Sequence, residues 1–361
     1  MKIKLIVLSL IIDAFTVAHA QSVAKAPYQD AIGIAKDSVS KLMKKGMIPG
    51  LSITVAVNNE IVWSEGFGYA DLEQQVPVHP GKTKFRIGSI SKSMTAAGLA
   101  RLIDKGKIIL DSSIYFYLPD YPRYRYRPTV RQLAGHTAGI RHYKGNEFFI
   151  AKRYAKISEA LSIFNKDTLM FKPGTKYLYT SHGYVLLGAI IEKASKKKFL
   201  KFLQQEVFTP LKLENTIADM NDSIIDFRTR FYVYKNNKWR NAPPVDNSYK
   251  WASGGLISTS EDVARFANSM LIGDFIKKET LTLLRTPQVL ADGMATRYGI
   301  GFTIEKDKLG TSYFGHSGGS VGGSSNMVIY PESKVVVVIL TNLSDASLGG
   351  EAQAIAHLFM R

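Results

Sequence analysis

Ser89 and Lys92 stand three residues apart in Phe85-Arg86-Ile87-Gly88-Ser89-Ile90-Ser91-Lys92. On a helix such a pair shares one face. The hydroxyl then has an amine one turn away that can take its proton. That arrangement makes a nucleophilic serine activated by lysine instead of histidine. Ser-x-x-Lys occurs four times, at Ser22, Ser38, Ser89 and Ser195, and context separates them. Ser22 follows a targeting-like segment, Ser38 sits on a polar face beside Lys36 and Asp37, and Ser195 lies in the lysine cluster Lys193 to Lys198, which reads as a solvated surface. Only Ser89 is followed by a small apolar run, Ala96-Ala97-Gly98-Leu99-Ala100, with no charge between Lys92 and Arg101. That run predicts a buried helix ending at Lys105-Gly106. An ammonium near the start of a buried helix is costly and needs a reason. Taken alone, the motif is equally well a serine N-cap with a snorkelling lysine.

Lysine acts as a base only when neutral, a form that burial and neighbouring cations favour. A second group able to move a proton is Tyr179 in Tyr179-Thr180-Ser181, just before the apolar run from Tyr184 to Ile191. The plain alternative is a packed core tyrosine. A rival, Tyr234-Lys235-Asn236, falls in a predicted hairpin turn. A third element is His316-Ser317-Gly318-Gly319, placed between two predicted strands. Its glycines let a substrate backbone approach a strand edge, and the N–H groups of Ser89 and Gly319 are candidate oxyanion donors. His316 by itself is equally a strand-end histidine without a chemical role. The seven histidines show no His-x-x-x-His spacing and there is no cysteine, so neither a metal site nor a cofactor is expected.

The elements that must hold these residues alternate in type. A helix is predicted from Tyr28 to Lys45, then a hairpin of Leu51–Val57 and Ile61–Tyr69, then the Ser89 helix. From Leu110 to about Asn247 the pattern is helical and loop-rich, with a helix from Phe199 to Leu211 and one hairpin from Phe231 turning at Asn236-Asn237. Ser258-Thr259-Ser260-Glu261 reads as a capping box. Strands are predicted at Tyr298–Ile304, Ser312–His316, Ser325–Tyr330 and Val335–Leu340, the last interior, followed by a helix from Gly350 to Met360. Strands at both ends and helices between them predict an α/β fold. Its antiparallel sheet is flanked by helices and built from both termini, with an inserted mainly helical region. One catalytic domain spans 21–361, its α/β part about 27–109 and 250–361 and its helical part about 110–249.

The chain has 361 residues and a net charge of +17. Met1-Lys2-Ile3-Lys4, the apolar run Leu5 to Ile12 and Ala18-His19-Ala20 read as a signal peptide over 1–20, although Asp13 is unusual there. The expected location is therefore periplasmic or secreted. Loss of Lys2, Lys4 and Asp13 leaves +16, a charge that suits an anionic envelope surface. Tyr121-Pro122-Arg123-Tyr124-Arg125-Tyr126-Arg127 interleaves rings and cations, but its prolines make it a loop, and with an export signal no nucleic-acid partner is expected. The lack of cysteine excludes disulfides, thiol chemistry and a cysteine-linked lipid.

Ser89-x-x-Lys92, Tyr179-x-Ser181 and His316-Ser317-Gly318 follow one another with about 90 and 137 residues between them. With Gln132-Leu133-Ala134-Gly135-His136-Thr137-Ala138-Gly139-Ile140, Lys172-Pro173-Gly174-Thr175 and Gly254-Gly255-Leu256-Ile257-Ser258-Thr259, the chain resembles the serine β-lactamase and penicillin-binding protein superfamily. The class C β-lactamase-like branch is the nearest in pattern. Gly139-Ile140-Arg141-His142-Tyr143 and the stretch from Pro244 to Trp251 look like the mitochondrial β-lactamase-like serine proteases. The resemblance covers roughly residues 30 to 345. It implies catalytic roles for Ser89, Lys92, Tyr179 and His316 and substrate or oxyanion contacts at Ser181, Ser317, Gly318 and Gly319. It places His136 in a structural turn.

Two departures stand out. Ser181 occupies the place of the family's usual asparagine and reaches less far. His316 occupies the place of a lysine and is mostly neutral near pH 7. Both weaken the case for β-lactam hydrolysis. The expectation is a secreted serine hydrolase forming a Ser89 acyl-enzyme on peptide, amide or ester substrates. The alternatives are a β-lactamase or D-alanyl-D-alanine carboxypeptidase, and a non-catalytic envelope-binding or self-assembling module.

Overall fold

The structure, a computed structural model, describes residues 19–360. The segment read as an export signal lies outside the described residues up to position 18. At its end, His19–Ala24 forms the first strand, β1.

The sheet gathers both ends of the chain. Its strands are β1, β2 (Gly50–Val57), β3 (Glu60–Asp71), β4 (Val76–Pro77), β5 (Thr303–Lys306), β6 (Ser312–Ser320), β7 (Gly323–Tyr330) and β8 (Val335–Thr341). The order is β1-β3-β2-β8-β7-β6-β5, with β4 pairing β3, and the eight-stranded sheet is antiparallel throughout. The last strand in the sequence is thus central, as the valine run after Lys334 predicts.

Alternation along β8 feeds two cores. Val335, Val337 and Ile339 pack with α1 (Gln29–Gly46) and the C-terminal helix Glu351–Phe359. Val336, Val338 and Leu340 face the opposite layer, which holds α2 (Ile90–Asp104), α3 (Ser181–Ser195) and α4 (Ser260–Ile272). A strand with both faces covered has no polar side, which is why all seven residues of β8 are buried. On β2 the second face carries Ser52 and Thr54. Both hydroxyls bond Ser260 Oγ, at 2.6 and 2.8 Å, so the polar groups under α4 are satisfied.

Four expectations are corrected. The α4 cap is Thr259, whose hydroxyl accepts from the Asp262 N–H, one residue later than the expected box. Residues 298–302 do not join the strand: Gly301 adopts φ +79° and turns the chain, so β5 starts at Thr303. The helix expected over Phe199–Leu211 is α-helical only to Leu203 and continues as a wider π-turn to Phe208. Ser195 is buried, not solvated, with its hydroxyl near the Glu192 and Lys197 carbonyls, while Lys193, Lys196 and Lys198 around it are exposed.

Candidate active site

Ser89 is the N-cap of α2, and the turn that presents it is tightly held. Gly88 has φ +49°, and a Cβ there would lie 2.7 and 2.8 Å from the carbonyl oxygen and nitrogen of Gly319. Only glycine lets the turn lie this close to β6. Three residues before Ser89, the Arg86 guanidinium is buried: Nε donates to Asp219 Oδ2 at 2.7 Å and Nη1 to the Val321 carbonyl at 2.6 Å. It also stacks 3.7 Å over the Phe231 ring. Asn247 adds a second bond to Asp219 Oδ2, at 2.7 Å.

One turn along α2, Lys92 is wholly buried. Its Nζ lies 3.0 Å from Ser89 Oγ, 3.1 Å from Ser181 Oγ and 2.7 Å from the Ser253 carbonyl. None of these partners is a carboxylate. Burial first, and then the neighbouring Lys250 charge, hold the Lys92 amine well below the ordinary lysine range. A neutral amine has two N–H groups and one lone pair. When Lys92 is in that form, N–H groups given to Ser181 and the Ser253 carbonyl leave the lone pair for the Ser89 hydroxyl.

Tyr179 immediately precedes Thr180, the cap of α3, whose hydroxyl accepts from the Gly183 N–H. The ring stands 4.8 Å from Lys92 Nζ and 6.0 Å from the His316 ring. Burial raises the Tyr179 phenol above its usual value, and interaction with the Ser89 hydroxyl only partly opposes this. Tyr179 is therefore protonated at neutral pH. Behind it, His136 packs between Tyr179, Tyr184 and Tyr298, at 4.4, 5.2 and 4.5 Å. His136 has φ +61° and its Nδ1 accepts from the Thr180 N–H, a supporting position beneath the cap.

His316 lies within β6, not between strands, since β6 runs on through Ser317, Gly318 and Gly319 to Ser320 and pairs with β7 there. Its Nδ1 sits 2.6 Å from the Ser317 carbonyl and its Nε2 3.0 Å from the Tyr298 hydroxyl. With Nδ1–H donating, Nε2 accepts. Burial, with the Lys92 charge adding to it, brings the His316 pKa down to about 3, so the ring is neutral. Ser317 and Gly319 are exposed, and a Cβ on Gly319 would meet nothing within 4 Å. The Ser89 N–H has no acceptor among the described residues. The structure thus brings Ser89, Lys92, Tyr179, Ser181 and His316 together, with the Gly318-Gly319 edge alongside.

A family model described as beta-lactamase matches residues 35–358. The chain belongs to the β-lactamase family. That family comprises serine hydrolases and includes penicillin-binding proteins. The human mitochondrial serine beta-lactamase-like protein LACTB is 30% identical, over 91% of this chain and 80% of its own length. Penicillin-binding protein 4* of Bacillus subtilis is 26% identical, over 81% of this chain and 67% of its own. Among solved structures, the octameric penicillin-binding protein homologue from Pyrococcus abyssi superposes with a TM-score of 0.77 at 27% identity, covering 90% of this chain and 75% of that one.

Beside the family's motif the structure adds residues that sequence reasoning passed over. His142 Nδ1 accepts from the Ser181 N–H at 3.2 Å, and burial brings its pKa down to about 4. Arg141 grips Glu147 through both terminal nitrogens, at 2.7 and 2.8 Å, and His182 Nε2 meets the same carboxylate at 2.9 Å. Lys250 is 2% exposed. Its signal was present: a lysine inside the otherwise uncharged run from Asn247 to Ser260, the same oddity that marks Lys92.

Proposed function

We propose that this chain is a hydrolase of peptide, amide or ester bonds working through an acyl-enzyme on Ser89. The observation that carries the reading is a buried, carboxylate-free Lys92 amine 3.0 Å from Ser89 Oγ. Lys92 accepts the hydroxyl proton as Oγ bonds to the substrate carbonyl carbon. The resulting oxyanion lies between the N–H groups of Ser89 and Gly319. When the intermediate collapses, the bond to the leaving group breaks and Tyr179 donates its proton to that group, while Lys92 returns a proton to Tyr179. Water then attacks the acyl carbon and gives its proton to neutral Lys92, and as the bond from that carbon to Ser89 Oγ breaks Lys92 returns the proton to Oγ, with Tyr179 remaining a phenol. A protonated phenol suits the donor role better than that of first base.

Neutral His316 and the short Ser181 hydroxyl offer little to a substrate carboxylate, which favours an amidase, peptidase or esterase over a β-lactamase or D-alanyl-D-alanine carboxypeptidase. The similarity to a penicillin-binding protein keeps that second reading in the test. The basic, apolar and Ala-x-Ala pattern of residues 1–20 supports export. The net charge supports an anionic envelope surface as neighbour, and the octameric relative supports self-association.

The test is intact-mass spectrometry after exposure to a fluorophosphonate and, separately, to a penicillin. A single fluorophosphonate adduct on the wild type, absent from Ser89→Ala, is expected, with turnover in that variant lower by on the order of 10⁶. Rapid penicillin acylation would shift the reading to the cell-wall alternative. No adduct on folded protein would favour a non-catalytic module.

A further inference from the structure

Lys250 precedes the short helix Trp251–Gly254, which supplies the Ser253 carbonyl to Lys92, so one segment delivers both a hydrogen-bond acceptor and a second amine to the same place. Among the described residues Lys250 Nζ has no hydrogen-bonded partner and no paired carboxylate. It faces rings instead: Phe148 at 4.4 Å, Tyr249 at 5.3 Å and Tyr143 at 5.9 Å. The stem runs beside the nucleophile turn. A point 3.8 Å from Lys250 Cδ, the Cβ position of Gly254, is also 3.7 Å from the Gly88 backbone. A buried cation without a counter-ion, next to a catalytic lysine, is not explained by packing alone.

We propose that Lys250 is a positioning residue for the reaction, its caged ammonium acting through space to keep Lys92 in the neutral form that accepts the Ser89 proton. This rests on the acyl-enzyme reading. Two buried ammonium groups in one enclosure, neither ion-paired with a carboxylate, each oppose the other's charge. The aromatic cage favours the cation at Lys250, and Asp219, although engaged by Arg86 and Asn247, adds attraction. Burial and the Arg86 charge lower Lys250 to about 7. It is therefore charged below about pH 7, and there it opposes proton uptake by Lys92. The groups facing Lys250 are Lys92 on α2, Arg86, Asp219, Tyr249, and Tyr143 with His142 and Glu147 in its loop. Those around Lys92 also include Tyr179, Tyr184, His136 and His316. The tyrosines are raised and the three histidines lowered, so none takes over the cationic role near neutrality.

The experiment follows the rate of fluorophosphonate labelling at Ser89 against pH in the wild type, Lys250→Met, Lys250→Gln and Lys250→Arg. In the two neutral variants the acidic limb should move to higher pH, making labelling about tenfold slower near pH 6, the result of a one-unit displacement. Above pH 8 the rates should converge, and Lys250→Arg should keep the wild-type limb. Coincident limbs in folded neutral variants, or the same displacement in Lys250→Arg, overturn the role of Lys250 and leave the acyl-enzyme intact. No labelling of the wild type at any pH overturns both. Should the neutral variants not fold, titration of ¹⁵N-labelled lysine amines in the wild type decides: coupled titration supports the proposal, independent titration overturns it.

Discussion

Two buried basic side chains flank the proposed nucleophile, Arg86 three residues before Ser89 and Lys92 three after, and they are treated in opposite ways. Arg86 has a carboxylate at 2.7 Å, a carbonyl at 2.6 Å and a ring stacked on its face. Lys92 has two hydroxyls and a carbonyl, and the charge that acts on it is a second lysine, Lys250. A buried guanidinium cannot shed its proton and must be paired. A buried amine can shed its proton, and withholding the counter-ion makes it do so. The first arrangement anchors the turn. The second is the arrangement that the proposed acyl-enzyme chemistry needs.

The sharpest way to break the contrast is to exchange each cation for an apolar residue. Lys92→Met should lower Ser89 labelling by up to about 10⁴, the range of a general base. Its urea midpoint should change little or rise, because no partner is left charged. A clear loss of stability would mean that Lys92 is structural. Arg86→Met should do the reverse in kind, lowering stability by up to about 3–5 kcal/mol in urea titration because buried Asp219 loses its 2.7 Å partner and keeps only Arg228 at 3.6 Å and the Asn247 amide. An unchanged midpoint would show that the pair is dispensable.

The smallest effect concerns pH. His142 and His182, each near 4, and His316, near 3, stay neutral in the fold. In the unfolded chain they take up protons around 6.5. Their contribution is therefore fully present above about pH 6.5 and is lost as pH falls towards their folded values. The loss is at most about 1.4 kcal/mol per pH unit for each histidine. Calorimetry from pH 7 to pH 5 should show a falling Tm, with a shallower fall in His142→Asn. A flat profile would place these histidines in contact with water.

Much of this was legible from residue types. The run Val335–Leu340 could be placed inside a sheet because no polar face interrupts it, and Ser89 could be separated from three similar motifs by the apolar residues after it. Tyr298 to Ile304 misled, because its apolar residues mimic a strand while the backbone at Gly301 turns. The strand was expected to end at His316 because glycines follow it, although β7 pairing holds those glycines extended. Lys250 escaped because its partners, Phe148 and Tyr143, come from a loop about a hundred residues away, and an aromatic cage leaves no periodic trace.

The central strand β8 is also among the last parts of the chain to be made. Its neighbours β2 and β7 come from opposite ends of the sequence, and β6, which carries Gly319, is more than two hundred residues after Ser89. During synthesis the serine and lysine emerge early, but the strand edge that completes the site cannot dock until nearly the whole polypeptide is available. Docking of that edge beside Ser89 is thus a late, long-range event of folding, fixed by the strand order and not by the local sequence around Ser89.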